Sequence, residues 1–199
     1  MSGTSLDGID AVLVRFEEGA CRLLHNHFQP FDGALRAELL ALNLAGQNEL
    51  ERAALAANAL SHNYAAAILE LLNSSGIRAG QIKAIGCHGQ TVRHRPDLGF
   101  TLQLANPALL AELTGIAVVA DFRSRDIAAG GQGAPLVPAF HASLFSHPEL
   151  HRVIVNIGGI SNLTSLPPNG KVLGFDCGPG NLLLSGYEKG ALRPFFILC

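Results

Sequence analysis

The sequence predicts an α/β protein of two similar units, one over residues 1–148 and an incomplete second over 149–199. Three observations lead there. From residue 82 onward short apolar runs alternate with helix starts, the pattern of strands and helices in an open sheet. A glycine- and hydroxyl-rich loop beside a strand occurs twice, at residues 2–10 and again at 158–164. With 199 residues, 48% of them hydrophobic, the chain can fill one core of moderate size and part of another.

Composition narrows the partners. Charged residues make up only 15% and the net charge is −2, so no electrostatic footprint for nucleic acid or an anionic membrane is visible. A small molecule is the expected partner. Cys21, Cys87, Cys177 and Cys199 are scattered, with no CxxC pair, which argues against zinc ribbons and disulfide frameworks and fits a reducing cytoplasm. No run of about 18 apolar residues and no basic segment followed by an apolar one is present, so neither a membrane span nor a signal peptide is expected.

Taken in order, the chain opens on Ser2-Gly3-Thr4-Ser5-Leu6-Asp7-Gly8-Ile9-Asp10. Glycines let backbone N–H groups converge on a ligand, and the three hydroxyls add donors, a composition suited to phosphate. Asp7 or Asp10 can orient a hydrated Mg²⁺, because a hard cation takes carboxylate oxygen and keeps its waters. The same residues also suit a plain turn. Residues 9–16 and 20–28, joined by Glu17-Glu18-Gly19, read as an antiparallel hairpin. His25 and His27 share a face of its second strand, but no third ligand is evident, so no resident metal site is assigned.

Asp32 is the expected N-cap of a helix carrying Leu35, Leu39 and Leu42 and closed by Gly46. Asn48 with Glu51 then resembles a capping box, opening a longer helix whose apolar face is Leu55, Leu60, Tyr64, Ile68, Leu71 and Leu72 and which ends near Asn73 and Gly76. These helices are packing material.

Residues 82–87 read as a buried strand ending in Cys87-His88-Gly89-Gln90-Thr91-Val92-Arg93-His94-Arg95-Pro96. Open α/β sheets place ligands just beyond strand C-termini, so His88, Gln90, Thr91 and Arg93 are candidate hydrogen-bonding groups for a polar ligand such as a sugar, with a surface loop as the alternative. Cys87 and His88 are not a nucleophile and its base, because adjacent strand residues point to opposite faces. Residues 100–105 form another strand, and Asn106-Pro107 supplies an N-cap with proline at the first helical position of a helix stopped by Gly115. The apolar strand 116–120 delivers Asp121-Phe122-Arg123-Ser124-Arg125-Asp126, whose arginines can clamp a carboxylate or hydroxyls, or pair internally with the acids. Gly130-Gly131-Gln132-Gly133 is a flexible loop, and 135–144 looks helical.

A boundary is expected at 146–150. Strand 153–157, the turn Gly158-Gly159 and the strand after it repeat the N-terminal device, and strand 171–175 delivers Asp176 into Cys177-Gly178-Pro179-Gly180-Asn181. An aspartate there can accept a proton from water or a hydroxyl while nearby N–H groups hold phosphate oxygens.

Six motifs together resemble anhydro-N-acetylmuramic acid kinases, bacterial members of the actin-like and sugar-kinase superfamily. They are Met1-Ser2-Gly3-Thr4-Ser5-Leu6-Asp7-Gly8, Cys87-His88-Gly89-Gln90-Thr91, Ala120-Asp121-Phe122-Arg123, Gly131-Gln132-Gly133-Ala134-Pro135-Leu136, Asn156-Ile157-Gly158-Gly159-Ile160-Ser161-Asn162 and Phe175-Asp176-Cys177-Gly178-Pro179-Gly180-Asn181, in the family's order. The resemblance implies an actin-like (ribonuclease H-like) lobe with a mixed sheet flanked by helices, followed by the first strands of a second such lobe. It implies a cytoplasmic kinase of cell-wall recycling that uses ATP and Mg²⁺, opens the 1,6-anhydro ring of an amino sugar with water and phosphorylates its 6-position. By motif, Gly3, Thr4, Ser5, Leu6, Asp7, Gly8, Ile9 and Asp10 form the ATP-phosphate loop, Asp176 is the base that activates water, and Gln90 and Arg123 are sugar contacts. A homodimer is among the assemblies it admits.

There are departures. Family members are nearly twice as long and begin upstream of Met1 with a strand feeding the phosphate loop, whose loss is expected to leave neighbouring strand edges unpaired. Ser185 stands where the family suggests an aspartate, and Pro194-Phe195-Phe196-Ile197-Leu198-Cys199 is an unusual apolar tail. The expectation is a truncated or frameshifted product. Its alternative to an active kinase is a sugar-binding remnant without phosphate transfer.

Overall fold

The computed structural model describes residues 6–17, 20–180 and 196–198. β1 (Gly8–Glu17) and β2 (Ala20–Pro30) form the expected antiparallel hairpin, with Ile9 opposite Gln29, Ala11 opposite His27 and an irregularity at Leu13/Val14. Alternation along β1 turns Ile9 and Ala11 inward and leaves Asp10 and Val12 outward.

α1 (Gly33–Ala41) starts where predicted, the Asp32 carboxylate accepting from the Leu35 N–H at 2.7 Å. It stops before Gly46, because Leu42 is drawn into the core at 1% exposure and the Asn43 side chain takes the Leu39 carbonyl at 2.8 Å. The capping box expected for α2 (Glu49–Ser75) does not form: Asn48 sits in the left-handed region and its side chain makes no cap bond. Glu49 reaches back instead, accepting from the Gly46 N–H at 3.3 Å. Leu60, Tyr64, Leu71 and Leu72 are buried as expected, but Leu55 points to solvent. The buried face runs through Ala56, Ala57, Ala65 and Ala67, small residues that let the hairpin approach closely. Gly76 ends the helix in the left-handed conformation.

Residues 82–84 are not strand. A 3₁₀ turn at Ala79–Gln81 precedes the short β3 (Ile85–Cys87). The polar stretch after Cys87, for which a surface loop was the alternative to ligand-binding groups, is largely β4 (Gln90–Arg95), which pairs antiparallel with β5 (Phe100–Leu104). α3 (Pro107–Thr114) has its predicted cap, Asn106 accepting from the Leu109 N–H at 3.0 Å, and its predicted glycine stop. β6 (Val118–Ala120) lies parallel to β3. The Asp121 segment winds into α4 (Phe122–Ala128). α5 (Pro138–Phe145) begins three residues later than expected.

β7 (Arg152–Ile157), β8 (Ile160–Leu166) and β9 (Leu173–Pro179) follow as an antiparallel meander, and the apolar tail supplies β10 (Phe196–Leu198) on the free side of β7. Among the described residues the result is an α/β protein in which one parallel and five antiparallel pairings are divided among four sheets.

The main core has α2 at its centre, against β1, β2 and α3, and its buried members run from Leu6 to Leu110. Burying one such leucine contributes roughly 2 kcal/mol. Ser61, fully buried on α2, pins the start of α3 through its hydroxyl, accepting from the Asn106 N–H at 2.8 Å and donating to the Asn106 carbonyl at 3.1 Å. A separate packing centre joins α5 to the C-terminal strands, where His141, Ile154, Thr164 and Leu166 are buried and His141 Nδ1 lies 2.9 Å from the Thr164 hydroxyl. Among the described residues no helix is long and apolar enough to cross a membrane.

Candidate active site

The polar residues gathered at the strand ends separate into structural and available groups. Arg93 belongs to the first: its guanidinium donates to the Leu42 carbonyl and to Glu49 at 2.6 Å, tying β4 to the α1–α2 connection. Thr91 is likewise engaged, accepting from Gln103 at 3.2 Å. Neither is poised for a sugar. Gln90 is 2% exposed in the β4–β5 pairing, so any contact it makes with a ligand is at the floor of the site. Cys87 is buried, which raises its thiol above the ordinary value and keeps it protonated.

Arg123 is held differently. Asp121 turns the chain in the left-handed region at φ 61°, and α4 then carries Arg123 toward the end of β3. Its Nε donates to His88 Nε2 at 2.8 Å and its Nη1 to the Gly133 carbonyl. The Asp126 carboxylate accepts from the Gly133 N–H at 2.7 Å, and the Gly131 N–H donates to the Asp126 carbonyl at 2.9 Å. A side chain at Gly131 would strike the Asp126 carboxylate, which explains a glycine there. Asp126 therefore shapes the loop that holds Arg123 and is not part of a substrate clamp. No ion pair involves Asp121, Arg123, Arg125 or Asp126 among the described residues, so the internal salt-bridge alternative is not what forms.

Asp176 comes from the other packing centre. It lies within β9, opposite Asn162, and not past the strand's end as expected. Ser161 pairs with Gly178 and Asn162 with Asp176, so Cys177 is an extra residue that breaks the ladder just after the aspartate. Such irregularities re-aim neighbouring side chains and recur beside active sites. Asp176 is exposed, and its charge reaches the first body: it favours the charged forms of Arg123 and His94. Burial works against the charge on Arg123, and Asp176 offsets part of that. His94, 3.0 Å from the Thr101 hydroxyl, is held below the usual imidazole range by burial and by Arg123, again partly offset by Asp176.

The structure thus joins Arg123 directly to His88, and the charge of Asp176 acts on Arg123 and His94. Nothing local along the chain connects His94 to an aspartate 82 positions on. The Gly133 carbonyl was missed, although the glycine run beside Ala134-Pro135 marked its loop.

Of the N-terminal loop, Gly3, Thr4 and Ser5 lie outside the described residues, as does Ser185. Leu6 is buried with φ 51°, and its carbonyl accepts from Arg36 Nε at 3.0 Å. Gly8 and Ile9 face the core, so they can meet a ligand only through backbone, whereas Asp7 and Asp10 are exposed. A bulky residue at positive φ costs energy, and such residues gather at functional sites. Leu6 beside the first loop and Asp121 beside Arg123 are two of the three described non-glycine residues of this kind. Among the described residues no group of three or more His, Cys, Asp or Glu could hold a metal. One exposed carboxylate does suit Mg²⁺, which takes its remaining ligands from phosphate oxygens and water.

A family model described as anhydro-N-acetylmuramic acid kinase matches residues 1–191. A relative named anhydro-N-acetylmuramic acid kinase, from Nitrosomonas europaea, is 63% identical over 189 residues, covering 94% of this chain and 52% of its own length. Relatives of the same name from Thiobacillus denitrificans and Bordetella pertussis are 61% and 60% identical, over 94% of this chain and 50% and 49% of theirs. The chain spans about half the length of the curated relatives it matches.

Proposed function

Because the chain belongs to the anhydro-N-acetylmuramic acid kinase family, we propose that it carries the sugar side and the catalytic base of an ATP-dependent kinase acting on 1,6-anhydro-N-acetylmuramic acid. The single observation that carries this reading is the family match over residues 1–191, which spans the motifs holding Gln90, Arg123 and Asp176.

Asp176 is the general base. It accepts a proton from the water that adds to the anomeric carbon, as the bond from that carbon to the 6-oxygen breaks. The freed 6-oxygen takes the phosphoryl group from ATP, giving N-acetylmuramic acid 6-phosphate. Arg123 offers donors to the sugar, and Gln90 lines the floor. Gly3 to Asp10 contribute backbone N–H groups and hydroxyls to the ATP phosphates, with Asp7 or Asp10 holding Mg²⁺. When bound, that cation supplies charge neutralisation on the transferred group.

In this reading residues 1–148 are an actin-like lobe and 149–199 the start of a second, working in the cytoplasm. Support comes from the two separate packing centres, and from the free thiols Cys21, Cys87 and Cys177, which suit a reducing compartment. The test is ATP consumption that depends on 1,6-anhydro-N-acetylmuramic acid, run beside Asp176→Asn. Turnover by the unsubstituted chain that Asp176→Asn abolishes is the expected result. Sugar binding with no turnover makes the chain a binding module instead.

A further inference from the structure

Histidine next to a substrate-facing arginine is unusual company, since both can carry positive charge. The hydrogen bonds around His88 resolve this. Arginine nitrogens only donate, so at 2.8 Å His88 Nε2 must present a lone pair to Arg123 Nε. A carbonyl only accepts, so at 2.7 Å His88 Nδ1 must carry the proton it gives to the Gly89 carbonyl. Gly89 adopts φ 75°, and a side chain there would press on the Leu104 carbonyl, so the turn that aims this carbonyl is built for glycine. The imidazole is therefore neutral, in one tautomer, with both nitrogens used.

We propose that His88 is a positioning residue: locked by Gly89 as the Nδ1–H tautomer, it fixes the Arg123 guanidinium for an anionic or hydroxyl-rich ligand and releases it when the ring is protonated. A carboxylate in the same place would neutralise Arg123; a neutral acceptor orients it and leaves its charge to the ligand and to Asp176. Burial opposes a positive charge on the ring, Arg123 on α4 opposes it further, and the Cys87 thiol beside it is protonated; Asp176 on β9 acts on Arg123 and on His94 of β4. Because His88 is held below the ordinary imidazole value of 6.5, the release falls on the acid side of that value.

The ligand part of this inference rests on the sugar-site reading above, and the tautomer part does not. Nitrogen NMR of the chain, with His88→Gln to assign the ring, is expected to show Nδ1 protonated and Nε2 bare; an Nε2–H ring, or exchange between the two forms, overturns the inference. In calorimetry with 1,6-anhydro-N-acetylmuramic acid, His88→Phe is expected to bind about tenfold or more weakly, the worth of a charge-assisted hydrogen bond. His88→Gln, whose amide oxygen accepts from Arg123, recovers most of the affinity and loses the weakening seen in acid, while His94→Gln keeps it. Full affinity in a folded His88→Phe, or acid weakening that survives in His88→Gln, overturns the inference. If Arg123→Ala leaves sugar binding unchanged, the sugar-site reading fails, and the tautomer measurement still decides the role of His88.

Discussion

Between Leu6 and Leu110 a 27-residue helix gathers a hairpin and a shorter helix around one apolar core, with Leu39, Leu60 and Ala67 at 0% exposure. Between Arg152 and Pro179 the strands are long and well paired, yet Leu173 and Phe175 are each 52% exposed, and the contact with α5 buries the polar pair His141 and Thr164. The first region is stabilised by apolar area removed from water, the second by its ladder and a few specific contacts. The chemistry divides along the same line. In the proposed reading Arg123, held by His88, orients the ligand, and the more open ladder presents Asp176. A change in the first region should therefore be read out mainly as stability, and one in the second mainly as activity.

The sharpest test of that division is Asp176→Asn. Turnover should fall about a hundredfold or more, the usual contribution of a positioned general base, with an unchanged denaturation midpoint because the side chain is exposed. Loss of folding with Asp176→Asn would break the comparison. Leu60→Ala should have the next largest effect, on stability: about 2–5 kcal/mol in urea denaturation, as for other fully buried leucines. Phe175→Ala, of larger volume but half exposed, should cost well under that; equal losses would mean that the two regions are held in the same way.

Cap removal comes third. Asn106→Ala should cost about 1 kcal/mol through loss of its bond to the Leu109 N–H. The fourth is a pH effect on the second region. Burial holds His141 below its ordinary value of 6.5, so the unfolded chain binds more protons in the window just under that value. Stability is then fully present above it and declines as pH falls toward the folded-state value, and denaturation midpoints of His141→Gln should show a shallower acid decline. Smallest of all is Arg95→Ala, which breaks an exposed pair with Asp97 and should leave the midpoint unchanged within error.

Much of this protein was legible residue by residue. The hairpin, the Asp32 and Asn106 caps, the Gly76 and Gly115 stops and the meander around Gly158-Gly159 all follow from signals contained within a few positions. The motifs carrying the family resemblance were equally plain, and residues 1–191 do match that family. Some local readings failed, the Asn48 capping box among them, and so did readings that depended on a distant partner. Residues 90–95 became a strand because residues 100–104 pair with them, and Arg93 became structural because Leu42 and Glu49 arrive beside it.

Local propensity, capping chemistry and turn residues are properties of neighbouring positions, and the sequence by itself determined the elements they specify. Which polar side chain ties the scaffold together, as Arg93 does, and which is held by a histidine, as Arg123 is, was decided only in three dimensions. A hydrogen bond from Arg123 to His88 spans 35 positions, and the charge of Asp176 acts on Arg123 from 53 positions away; no pattern along the chain encodes such distances until the core has closed.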